Sequence, residues 1–129
     1  MKILFNGDRY PYLEMARVGI TEDNLDIIIR TDDPGKIPHF HIIDRNNKDE
    51  RNNEGCIRID SASYFSHGSK TMTLNSQQRK HLVKFLNKAP DKSKHYSTNW
   101  DLLVDMWNLN NSDVQIPEGT EMPDYTKLR

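Results

Sequence analysis

The sequence predicts an α+β protein: a small antiparallel β-sheet with two C-terminal helices packed on one face. Three observations carry this. Residues 24–31 (NLDIIIRT) and 37–44 (IPHFHIID) are β-branched or aromatic runs of two-residue period, placed on either side of a Pro-Gly pair. Residues 55–60 (GCIRID) resume that period. Residues 76–88 and 99–110 instead repeat apolar side chains at intervals of three and four, which is the helical pattern.

Taken in order, residues 12–18 read as a short helix closed by Gly19 in the usual C-terminal role, the alternative being an irregular edge. In the first strand Leu25, Ile27 and Ile29 oppose Asp26, Ile28 and Arg30, giving one strongly apolar face. Asp33, Pro34, Gly35 and Lys36 suit a type II turn, because Pro presets the second position and Gly accepts the positive φ at the third. The chain then returns antiparallel from 37 or 38 to 44, with Pro38 at the strand start, where no ladder hydrogen bond is needed. These two strands form the hairpin of residues 24–44. Residues 45–54 hold no apolar side chain and read as a solvated loop. Strand 55–60 sets Ile57 and Ile59 against Cys56, Arg58 and Asp60. Residues 61–75 read as a short strand or turn ending at Gly68, then an extended stretch over 71–74.

Asn75 or Ser76 can cap the first of the two long helices, and Pro90 stops it. Leu82, Val83, Phe85 and Leu86 give its buried stripe, while Lys80, Lys84 and Lys88 recur every fourth residue on another face. Thr98 or Asn99 caps the second, in which Trp100, Leu103, Val104 and Trp107 lie at i, i+3, i+4 and i+7. It should be the most buried element. At 129 residues the chain is expected to form a single domain, 1–129, with 111–129 an irregular tail packed on the domain or on a neighbouring chain.

Composition narrows the function. No apolar run exceeds three residues, as at Ile27 to Ile29, far from the roughly 20 residues of a membrane span. The first ten residues lack a signal-peptide core, and a single cysteine, Cys56, permits no internal disulfide. A cytoplasmic location is therefore expected, in the host cytoplasm if the gene belongs to a phage. A net charge of −1 gives no overall attraction to nucleic acid or anionic lipid. The charge is segregated, however: residues 70–95 balance to +6 and residues 96–126 to −6. Pairing of these regions within the fold is the expected reading, and a basic docking face the alternative.

The residues most suggestive of chemistry are His39 and His41. Two positions apart on a strand, they share a face with about 7 Å between backbones, while Phe40 and Ile42 turn to the core. Two imidazoles so placed can converge on a metal ion, an anion or a partner, or can be structural, hydrogen-bonded to backbone or to carboxylates. Zinc would need a third ligand, for which His67 is the leading candidate, with Asp60 and Asp44 behind it. A histidine-triad nucleotide hydrolase would need a third alternate His where Ile43 and Arg45 stand, and a cupin would need a Glu much nearer than Glu50. Cys56 sits between Gly55 and Ile57 in a strand and reads as a small buried hydrophobe. No nucleophile elbow surrounds Ser61, Ser63 or Ser66, and the scattered glycines form no phosphate loop.

KIPHFHIID followed by CIRID, a helix, and Asn99-Trp100 at the start of another helix resembles a family of small uncharacterised bacterial and phage domains with a Pro-Pro-His-Phe-His signature. The resemblance spans residues 24–110 in element order, with PHFH and NW the close parts; Ile37 replaces the first Pro, and the 45–54 loop and the tail past Asn111 are additions. It implies a compact α+β domain in a phage or mobile-element setting, often beside toxin–antitoxin-like genes. It implies no reaction.

The expected function is thus a non-enzymatic interaction or accessory protein with no cofactor, meeting a protein partner through His39, His41 and His67 and through Lys80, Lys84 and Lys88. The competing readings are a small hydrolase with zinc on His39, His41 and His67, and a virion or assembly component that oligomerises through its tail.

Overall fold

A computed structural model describes residues 15–30, 37–65, 68–91, 93–111 and 113–129. Four strands, β1 (Met15–Ile20), β2 (Leu25–Arg30), β3 (His39–Asp44) and β4 (Glu54–Arg58), form an antiparallel sheet in sequence order. Two helices follow, α1 (Ser76–Leu86) and α2 (Asn99–Asn110), and a 3₁₀ turn over Tyr125–Lys127. The chain is an α+β fold. The 33–36 turn lies outside the described residues.

β1 corrects the helix expected over residues 12–18, of which 12–14 lie outside the described residues. Ala16 and Val18 are buried while Arg17 between them is exposed, a two-residue period too short to stand out beside Gly19. Gly19 is no helix cap: it sits at a register shift opposite Ile27, and a Cβ there would come within 2.7 Å of the Phe85 ring. The glycine lets α1 close on the sheet.

On the apolar face Ile27, Ile42 and Gly55 stand in one row across β2, β3 and β4, and Phe40 stands beside Ile57. Leu25, Ile27, Ile29, Phe40, Ile42, Ile57 and Ile59 are wholly buried in one cluster with Leu82, Leu86, Leu103 and Trp107 of the helices. Strands β2 and β3, rather than α2, are the most buried elements; Leu109 at the end of α2 is 66% exposed. Asn75 caps α1 in a reciprocal capping box with Gln78, and Thr98 caps α2. Asn99 is buried because it ties the helices together: its side-chain amide donates to Phe85 O at 2.9 Å and its backbone N–H to Lys88 O at 2.8 Å.

The C-terminal segment packs on the domain and completes its core. Tyr125 is fully buried, edge-on to Phe40 at 5.8 Å, and its hydroxyl donates to Arg58 O at 2.7 Å. Burial, and secondarily the Asp60 charge, push the Tyr125 phenol pKa far up, so it stays a donor. Backbone bonds from Tyr64 N–H to Arg129 O and from Arg129 N–H to Ala62 O fasten the last residue. The free side of β4 meets Tyr64 and Thr71 in isolated bridges, which cover part of its edge.

Gly55 is the tightest point of this arrangement, since a Cβ would stand 2.2 Å from the Met72 carbonyl oxygen. Backbone cannot yield as a side-chain tip can. Gly55→Ala is expected to cost about 3 kcal/mol, seen as a fall of about 10 °C in the unfolding midpoint. A fall of less than about 2 °C would show that the 71–72 segment is not packed on β4.

Candidate functional site

The opposite face of the sheet is polar at its centre. The ladder sets Arg17, Ile28, His41 and Cys56 in one row and Asp26, Ile43 and Glu54 in the next. His39 and His41 share this side as the strand period requires, their rings 5.2 Å apart, while Phe40 is buried in the core. The pair is not on a solvent surface. His39 is 1% and His41 0% exposed, and the His39 ring lies 4.4 Å from that of Phe65 and 5.6 Å from Trp107.

Each imidazole has a definite partner. His39 Nδ1 lies 2.8 Å from Ile37 O, and a carbonyl only accepts, so Nδ1 carries the proton. His41 Nδ1 likewise donates to Glu54 Oε2 at 2.8 Å. Cys56 Sγ stands 3.3 Å from the same nitrogen, buried at 1% exposure. The thiol is thus enclosed beside a ring nitrogen that also meets Glu54. Glu54 also receives Arg30 through Nη2, at 3.1 Å to Oε1 and 3.0 Å to Oε2. Burial raises the Glu54 pKa, but the hydrogen bonds and charges of His41 and Arg30 outweigh it, and the carboxyl lies below its ordinary 4.5.

His67, the expected third ligand, lies outside the described residues. Asp60 is engaged by Arg58, at 2.8 Å to each oxygen, and the Asp44 side chain accepts from Asn46 N–H. Among the described residues no three His, Cys, Asp or Glu side chains are grouped as a metal ion would require. Lys80 and Lys84 are exposed on α1 as their spacing predicts, and Lys88 is exposed just past its end. Lys84 meets Glu22 at 3.2 Å and His81 meets Asp23 at 2.7 Å, so this helix face is partly neutralised by the β1–β2 turn. Among the described residues no ion pair joins the basic 70–95 region to the acidic 96–126 region, contrary to the expected internal pairing.

The acidic region instead lines an open groove of about 760 Å³ between α2 and residues 116–122. Asp101, Asp105, Glu118 and Glu121 surround it, Trp100 and Met122 give it an apolar part, and no Lys or Arg lines it. Among the described residues none of these carboxylates forms an ion pair. Asp105 instead accepts from the Tyr96 hydroxyl, whose pKa is pushed up to about 12 by that hydrogen bond first and by burial and the Asp105 charge after it. The groove is preformed. Asn108 both donates to Ile116 O, at 3.0 Å, and accepts from Ile116 N–H, at 2.7 Å; Trp107 Nε1 donates to Val114 O at 2.8 Å and Trp100 Nε1 to Thr120 O at 3.3 Å. The sequence carries half of this signal, the run of carboxylates without a cation; the concavity depends on where the tail docks.

No protein-family model, curated protein or solved structure matches the chain. No helix among the described residues is long and apolar enough to cross a membrane.

The Glu54 network has a pH signature. The folded state holds the Glu54 proton less tightly than the unfolded chain, so its stabilisation is complete above about pH 4.5 and disappears as pH falls through the folded-state pKa. Glu54→Gln is expected to lose about 1–2 kcal/mol at neutral pH in denaturant unfolding, with the difference from the parent shrinking below pH 4.5. A difference that stays constant down to pH 3 would mean that the ionised carboxylate does not hold β3 to β4.

Proposed function

We propose that this chain is a non-enzymatic interaction protein that receives a basic segment of a protein partner in the groove between α2 and residues 116–122. One observation carries the reading: a preformed concave surface lined by Asp101, Asp105, Glu118 and Glu121 with no cation among its lining residues. Like charges crowded in a concavity focus their field and repel one another, a cost that a cationic ligand removes. Trp100 and Met122 supply apolar surface for the aliphatic stems of Lys or Arg. The imidazole pair, closed off and hydrogen-bonded, fits a structural role better than a contact with a macromolecule.

A short synthetic peptide rich in Lys and Arg is the direct probe, with Trp100 emission as readout. Binding is expected to weaken as salt rises, and to weaken at least about tenfold, or about 1.4 kcal/mol, in the double variant Asp101→Lys, Glu118→Lys. An acidic peptide of equal length should not bind. Equal affinity of parent and double variant for the basic peptide would remove the reading.

A further inference from the structure

Asp26 is a charged side chain near the start of β2, with 0% exposure. A buried carboxylate has to be compensated, and Arg17 on β1 balances its charge: Nε donates to Oδ1 at 2.8 Å and Nη2 to Oδ2 at 2.6 Å, a bidentate pair. A second guanidinium is there as well. Arg45, which directly follows β3, donates to Oδ2 from Nε at 2.9 Å and from Nη2 at 2.6 Å. Both arginines reach water, with side chains 59% and 40% exposed.

As a staple between strands this arrangement is excessive. One bidentate arginine already occupies both oxygens of Asp26, and the second brings a like charge to the same Oδ2. Two guanidiniums and one carboxylate leave a local excess of one positive charge. The neighbours of Asp26 across the ladder, Ile20 and Ile43, do not offset it, and among the described residues neither arginine pairs with any other carboxylate. Each guanidinium has five N–H donors, of which Asp26 takes two, so three on each remain to donate outward. The geometry is held from behind. Arg17 is anchored in the β1–β2 ladder, and the Arg45 backbone N–H donates to Asn24 O at 3.0 Å, where Asn24 takes the positive φ of 64° that the turn needs.

We infer that Arg17 and Arg45, oriented by the buried Asp26, form a binding site for a phosphate dianion, free or as a monoester. Because both guanidiniums are anchored on the same Oδ2, their remaining N–H groups lie close together, and a tetrahedral oxyanion offers several oxygens to which both arginines can donate at once. Asp26 acts as the positioning residue: it fixes both forks before the ligand arrives. The site stands apart from the acidic groove and does not depend on it.

The test is a titration of the full chain, following the Arg17 and Arg45 side-chain Nε–H resonances with inorganic phosphate in one arm and phosphoserine in the other. Chloride at matched ionic strength is the reference, because phosphate also stabilises proteins by exclusion from their surface. Saturable shifts at both arginines are expected, and Arg45→Gln, which keeps the Arg17–Asp26 pair and so the fold, should weaken binding at least tenfold. Arg45→Lys, which keeps the charge and loses the fork, should recover little of it. Tighter binding of phosphoserine than of phosphate would identify a monoester as the ligand, and the reverse order free phosphate. Shifts that fail to saturate with either ligand, or equal binding by the parent and a folded Arg45→Gln chain, would overturn the site and leave the second arginine a structural staple.

Discussion

The constraint on which this fold rests is that β3 is covered on both faces. A half-exposed antiparallel strand alternates apolar and polar residues and leaves the polar ones to water. β3 alternates too, with Phe40 and Ile42 against His39 and His41, but every one of these side chains is buried. The apolar side is closed by the helices and Tyr125. The imidazole side is closed with its hydrogen bonds satisfied locally, by Ile37 O for His39 and by Glu54 for His41. A buried polar group without a partner costs about 1–3 kcal/mol, so the Glu54 carboxylate and the Arg30 behind it are as much part of the architecture as the isoleucines opposite.

A second buried polar group lies on the same face. Asp26 is buried and met by guanidinium forks from β1 and from the end of β3, so this ion cluster links three successive segments of the sheet. The 3₁₀ turn plays the corresponding part on the apolar side, where Tyr125 fills the space under Phe40 and Trp100. Once the tail is drawn in by Tyr125, Ile116 and Leu128, residues 116–122 must run beside α2, and the acidic groove is the gap left between them. Docking of the tail is therefore what converts a run of carboxylates into a concave surface.

Much of this was legible in the residues. The two-residue period of Leu25, Ile27 and Ile29, and of Phe40 and Ile42, places β2 and β3 within a residue or two, and the caps at Asn75 and Thr98 place both helices. β1 was not legible, because only Ala16 and Val18 mark its inner face and Gly19 resembles a helix stop as much as a point of close approach to Phe85. Within the site, strand alternation gave the shared face of His39 and His41, but it says nothing of depth. A His-x-His pair looks the same in sequence whether it lines a pocket or closes against Glu54 and Phe65. The Asp26 cluster and the groove are the least legible of all, since they join residues far apart in the chain whose meeting depends on register and on the course of the tail.

The central claim, that the imidazoles of β3 are enclosed structural groups, is tested most directly by carbethoxylation with diethyl pyrocarbonate at neutral pH, read residue by residue by mass spectrometry. His95, which is exposed, serves as the internal standard. The account expects His39 and His41 to react at least about 100-fold more slowly than His95, the factor given by an opening free energy of about 2.7 kcal/mol. Reaction of either at the rate of His95 in the folded protein would contradict it.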